Sequence, residues 1–158
     1  MATILKDIGA YKSKLITIVT ASPDICELIL GEGYSDECLD DIGYSHIYPY
    51  LYVDDTQDKE CSYLCIEVDI PRIPTAVIKE MKVIVWAYCH KKIMKFTKKG
   101  YQGTRMDVLS DMVEQVLTNS EQFGIGHLHL DSVTYIYPNN KYYGRQMIFT
   151  VPDFKIKG

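Results

Sequence analysis

The chain has 158 residues, 47% of them hydrophobic, and a formal net charge of −4 at neutral pH. That size suits one domain with one substantial core, and the acidic balance argues against generic nucleic-acid binding. No apolar run reaches the ~18 residues of a membrane span, and Lys6 and Asp7 interrupt the N-terminus too early for a signal peptide, so neither insertion nor secretion is expected.

Ile4, Leu5, Ile8, Tyr11, Leu15, Ile16 and Val19 recur at helical spacing and predict an amphipathic helix over 3–19, with Gly9 as its weak point. Ser22-Pro23-Asp24 then supplies a cap, a first-turn proline and a first-turn acid, and Gly31 supplies a stop, which predicts a helix over 23–30. The acidic segment 33–43 reads as an exposed loop. After it, 47–53 is aromatic and apolar enough for a strand, which Pro49 confines to an edge or an irregular start.

Tyr63–Ile70 alternates Leu64, Ile66, Val68 and Ile70 against Tyr63, Cys65, Glu67 and Asp69, the pattern of a strand with one core face, ended by Pro71 and Pro74. The stretch from Lys82 to Met94 is apolar on both faces; its β-branched and aromatic content favours a central strand over a buried helix. Residues 91–99 read as a basic loop or protruding hairpin running to Gly100 and Gly103. Thr104-Arg105-Met106-Asp107 resembles a capping box, and Val108, Leu109, Met112, Val113, Val116 and Leu117 give the helix it opens one apolar stripe. Gly124 and Gly126 break the chain before a strand over 128–137. Pro138-Asn139-Asn140-Lys141 is a turn, and a strand over 142–151 pairs with the preceding one as a hairpin. The expected fold is α+β: one domain over 1–158, a mainly antiparallel sheet packed by an amphipathic helix at about 104–119 and by the N-terminal helices.

Charge is segregated along the chain. Residues 35–60 carry eight acids (Asp36, Glu37, Asp40, Asp41, Asp54, Asp55, Asp58 and Glu60) against Lys59 alone, whereas residues 81–106 carry seven bases (Lys82, Lys91, Lys92, Lys95, Lys98, Lys99 and Arg105) and no acid. Two solvated loops pairing within one subunit would satisfy this pattern. So would complementary faces of neighbouring subunits in a ring. The thirteen tyrosines exceed what one core needs, and Tyr44, Tyr48, Tyr50 and Tyr52 crowd beside the acidic segment, where tyrosine suits an interface. Tyr88, Phe96 and Tyr101 are interleaved with the basic stretch, which makes it the candidate surface for DNA passing through such a ring.

Catalytic patterns are weak. The five cysteines, Cys26, Cys38, Cys61, Cys65 and Cys89, form no CxxC pair and read as reduced, mostly buried thiols. His127 and His129 could share a metal with Asp131, but solvated strand histidines are the commoner meaning. Asp69, Glu80 and Lys82 loosely follow the acid, acid-x-lysine spacing of metal-dependent nucleases. Cys89 and His90, adjacent on a strand, point to opposite faces and cannot cooperate. No phosphate-cradling glycine frame or GxSxG elbow is present. The expectation is a non-enzymatic protein with no cofactor and no metal; a small nuclease or resolvase, or a monomeric ligand-binding domain, is the alternative.

Ser62-Tyr63-Leu64-Cys65-Ile66-Glu67-Val68, the run Lys82–Lys91, the opening Thr104–Asp107 and the closing Tyr143-Gly144-Arg145-Gln146-Met147-Ile148-Phe149 before Pro152-Asp153-Phe154 together resemble the tail terminator and head-tail joining proteins of tailed phages. The likeness is one of element order and covers roughly the last hundred residues. It implies a structural virion subunit, made in the bacterial cytoplasm, that forms a ring, often a hexamer, at the tail–neck junction. Its partners would be other copies of itself, tail tube and neck proteins, and DNA in transit. The acidic and tyrosine residues (Asp36, Glu37, Asp40, Asp41, Tyr48, Tyr50, Tyr52, Asp54, Asp55) are the expected subunit face. The basic loop (Lys91, Lys92, Lys95, Lys98, Lys99, Arg105) is the expected subunit or channel contact.

Overall fold

A computed structural model describes residues 4–31, 46–53, 59–72, 80–118 and 128–151. Within them lie helices α1 (Ile4–Thr20), α2 (Pro23–Leu30) and α3 (Arg105–Thr118), and strands β1 (Ile47–Tyr48), β2 (Ser62–Arg72), β3 (Glu80–His90), β4 (His129–Asn139) and β5 (Tyr142–Val151). The strands form one sheet in the order β1-β2-β3-β5-β4, with β1 parallel to β2 and every other pair antiparallel. The fold is α+β, as the sequence predicts. The acidic segment 33–43 lies outside the described residues.

Local chemistry sets the helix ends. At α2 the Ser22 hydroxyl accepts the Ile25 N–H at 3.4 Å, Pro23 occupies the first turn, and Gly31 closes the helix at φ 63°. At α3 the capping box is reciprocal: the Thr104 N–H donates to Asp107 Oδ2 at 2.9 Å, and the Asp107 N–H donates to Thr104 Oγ1 at 3.3 Å. Gly103, at φ 107°, lets the chain enter this cap, where a Cβ would lie 2.7 Å from Asp107 Oδ2.

Register decides which side chains meet. Leu64 faces Ala87, Ile66 faces Val85 and Val68 faces Val83, while on the next pair Val85 faces Met147 and Val83 faces Phe149. All are buried beneath the three helices, against Leu15 and Val19 of α1, Ile25, Leu28 and Ile29 of α2, and Met106, Leu109, Val113 and Leu117 of α3. Each such side chain contributes about 1.5–3 kcal/mol of transfer free energy, so this layer dominates folding. The basic connection after β3 begins with a 3-10 turn, Lys91–Ile93. It lies against the same core through Ile93, Met94 and Phe96 instead of protruding as a hairpin.

Three expectations are corrected. The strand over 47–53 stops at Tyr48; Pro49 cannot donate to a ladder, and residues 51–53 leave the sheet. β2 runs past Pro71 to Arg72, with its register shifting between Asp69 and Arg72. It also has two core faces, not one, because Tyr63 and Cys65 are buried with Tyr48, Tyr88 and Tyr142 in a second cluster on the side of the sheet away from the helices. Tyr52 and Trp86 pack against that cluster.

Candidate assembly surfaces

The residues expected at an acidic and tyrosine face divide in three. Asp36, Glu37, Asp40, Asp41, Asp54 and Asp55 lie outside the described residues. Tyr48 belongs to the interior: its ring stacks on Tyr52 at 4.1 Å and meets Tyr50 edge-on at 5.8 Å. Burial, reinforced by Tyr52, pushes its hydroxyl up to about 12. Tyr52 is half-buried, and its N–H donates to Cys65 Sγ at 3.5 Å. Only Tyr50 keeps a broad exposed surface, 44%, beside Leu51 at 45%. Tyr48 and Tyr52 are therefore part of a cover over the outer face of the sheet, while Tyr44 lies outside the described residues.

The basic stretch divides as well. Lys91, Lys92, Lys95 and Lys99 are exposed. Lys92 reaches Glu60 at 3.3 Å, so one pair links the basic segment to the acidic one within a single subunit, and Lys98 reaches Asp24 of α2 at 3.6 Å. Arg105 turns inward. Its Nε donates to the Ile93 carbonyl at 2.7 Å, an Nη donates to the Leu28 carbonyl at 3.4 Å, and the guanidinium lies 4.5 Å from the Phe96 ring centroid. That side chain ties the end of α2, the connection and the start of α3 together, which corrects its expected place in a contact loop.

The catalytic alternatives gain little geometry. Asp69 faces Lys82 across β2 and β3, while Glu80 pairs with Arg72 beyond the register shift. Among the described residues no group of His, Cys, Asp or Glu is arranged to hold a metal; His129 is exposed, and His127 lies outside them. Burial pushes the Cys65 thiol up to about 11 and the Cys89 thiol up to about 12, and raises Cys26. These thiols are protonated at neutral pH and poor nucleophiles. Cys89 and His90 do point apart: Cys89 joins the helix-side core, whereas the His90 ring meets Tyr142 edge-on at 5.4 Å.

Sequence reasoning missed two features around β4. The first is a groove of about 380 Å³ on the outer face, lined by Leu51 and Val53, by Trp86 and Gln146 on its floor, and by Tyr135 and Tyr137 on the β4 side. Trp86 Nε1 donates to Gln146 Oε1 at 2.8 Å and fixes that floor. The second is β4 itself, an edge strand whose Val133, Tyr135 and Tyr137 are 46%, 62% and 64% exposed. Their alternate spacing was a visible signal, but it read as an ordinary half-buried strand because nothing local says that α3 stops short of it.

Comparison with curated proteins finds no match, and comparison with solved structures finds none. A family model, YomW, matches residues 22–151, from the cap of α2 to the end of β5. The chain belongs to the YomW family.

Proposed function

We propose that this protein is a structural, self-assembling subunit of a phage or phage-like particle, one that forms a ring at the tail–neck junction as a tail terminator or head-tail connector. Family membership carries the phage part of the reading, since the name YomW suggests a phage-derived Bacillus gene product; the ring at the tail–neck junction rests on the resemblance in element order. The exposed Lys91, Lys95 and Lys99 on one connection, together with the separation in sequence of the acid-rich 35–60 from the basic 81–106, support it: opposite charges in different parts of the chain suit head-to-tail contacts between neighbouring subunits. Such contacts favour correct register and fast encounter, and they weaken with salt. In this role the subunit is made in the host cytoplasm, ends in the virion, meets tail tube and neck proteins, and turns its lysines toward DNA in the channel.

The test is the mass of the purified chain by light scattering at low and high salt, with electron microscopy of the largest species. A ring-sized oligomer that loosens as salt rises is the expected result. A monomer at every salt concentration that cleaves DNA when magnesium is added would replace this reading with the nuclease alternative.

A further inference from the structure

We propose that the open edge of β4 is a contact between two copies of this chain, pairing antiparallel with the β4 edge of the partner about a two-fold axis through Thr134. The proposal rests on the assembly reading only in taking the chain to self-associate, and it names the surface that does so.

The two edges of the sheet are unequal. β1 presents two residues, whereas β4 presents eleven, and among the described residues no strand lies beyond it. An edge strand offers a row of backbone donors and acceptors to any other strand, and monomeric proteins blunt such edges with lysines, prolines or bulges. Residues 129–139 contain no Lys or Arg, their one proline, Pro138, stands near the far end, and the two register irregularities of the strand leave its middle, Ser132–Ile136, regular. The exposed side chains in the middle are Ser132, Val133, Thr134 and Tyr135; the two large ones, Val133 and Tyr135, are β-branched and aromatic, which pair well across strands.

The irregularities of β4 define where a partner fits. Its register against β5 shifts between Leu130 and Ser132 and again between Ile136 and Asn139, so the regular run is Ser132–Ile136, centred on Thr134. A two-fold contact requires one surface to be complementary to itself. Pairing about Thr134 meets that condition: Val133 comes opposite the partner's Tyr135, Ser132 opposite the partner's Ile136, and Thr134 opposite the partner's Thr134. The strand's histidine and carboxylate, His129 and Asp131, fall outside the run, so no like charges are forced together. Asp131 instead comes toward the partner's Tyr137, whose hydroxyl can donate to a carboxylate. The product is one continuous sheet through both subunits.

The experiment is sedimentation equilibrium on the full chain at low and high salt, with Val133→Glu and Tyr135→Lys studied singly and as an equimolar mixture. Circular dichroism and melting establish that each variant folds; both positions are exposed, so native spectra are expected. The wild type should dimerise with little salt dependence, because backbone pairing and apolar contact hold it together. Each single variant should dimerise about tenfold or more weakly, since a charge is placed against an apolar side chain. The mixture should recover a heterodimer, because in this register the introduced lysine of one chain faces the introduced glutamate of the other. A wild type that stays monomeric at every concentration overturns the proposal, as does a mixture no tighter than the single variants. A salt-labile ring that ignores both substitutions overturns it too, while leaving the ring reading of the protein intact.

Discussion

On the helix side of the sheet, Leu64, Ile66, Val68, Val83, Val85, Met147 and Phe149 are buried by three amphipathic helices; on the other side, Tyr48, Tyr63, Tyr88 and Tyr142 bury one another beneath a short run of irregular chain. The aliphatic layer has no polar atoms to satisfy. The tyrosine layer has a hydroxyl on every ring, and those hydroxyls fare differently. The Tyr142 hydroxyl donates to the Lys59 carbonyl at 2.8 Å, while the buried Tyr88 hydroxyl has no hydrogen-bond partner among the described residues. Burial, together with the nearby Cys65 thiol and the neighbouring rings, holds the Tyr88 phenol far above its ordinary range. One face therefore supplies most of the folding free energy, and the other combines burial with unsettled polarity.

The sharpest way to break this contrast is Phe149→Ala, which opens a cavity in the aliphatic layer. It should cost about 3–5 kcal/mol, read as a lower denaturation midpoint at unchanged slope. Next is Gly144→Ala, where the sheet face bearing the tyrosines meets close backbone. A Cβ there would overlap the Ala87 carbonyl oxygen and lie 2.5 Å from the Tyr88 Cα, so β3 and β5 must part. A loss of about 2–3 kcal/mol is expected, and a neutral result would show that the strands separate freely at this point.

Asp107→Ala tests the helix side at its rim. Asp107 caps α3 and also takes Nε and Nη2 of Arg145 on β5, at 3.2 and 3.1 Å. Burial disfavours its ionised form, but the bonds from Thr104 and Arg145 outweigh burial and hold the carboxyl below its ordinary 3.8. Because the folded pKa is the lower one, the contribution is complete above that ordinary value and is lost as pH falls through the folded value. The variant should be less stable than wild type by about 1–2 kcal/mol near neutrality, with the gap closing in strong acid. The smallest effects divide the tyrosine layer itself. Tyr142→Phe should cost about 1 kcal/mol, whereas Tyr88→Phe should stay within about 0.5 kcal/mol of wild type or gain slightly, since its hydroxyl faces at most the Cys65 thiol, a weak partner. Equal losses from the two would contradict the difference between their hydroxyls.

Much of this architecture was legible in the chain. Ser22, Pro23 and Gly31 mark both ends of α2, Thr104 and Asp107 mark the start of α3, and Asn139 to Lys141 mark the hairpin, because caps and turns are local bonding problems solved by neighbouring residues. The tyrosine lid was not legible. Tyr48 and Tyr52 look like surface aromatics until the register of β2 against β3 sets Tyr63 beside Tyr88, and the chain after Pro49 folds back across them. Arg105 is a similar case, since a base within a run of lysines carries no sign that two carbonyls distant in sequence will claim it.

By itself the sequence determined the α+β class, the sites of the helices and the closing hairpin, all of which follow from periodicity and capping within a few residues. Tertiary structure alone decided that β5 lies beside β3, that the outer face is a second core, and that β4 is left long and, among the described residues, open at the edge. Those outcomes depend on which strands pair and how far the helices reach, and both are settled by contacts between residues far apart in the chain.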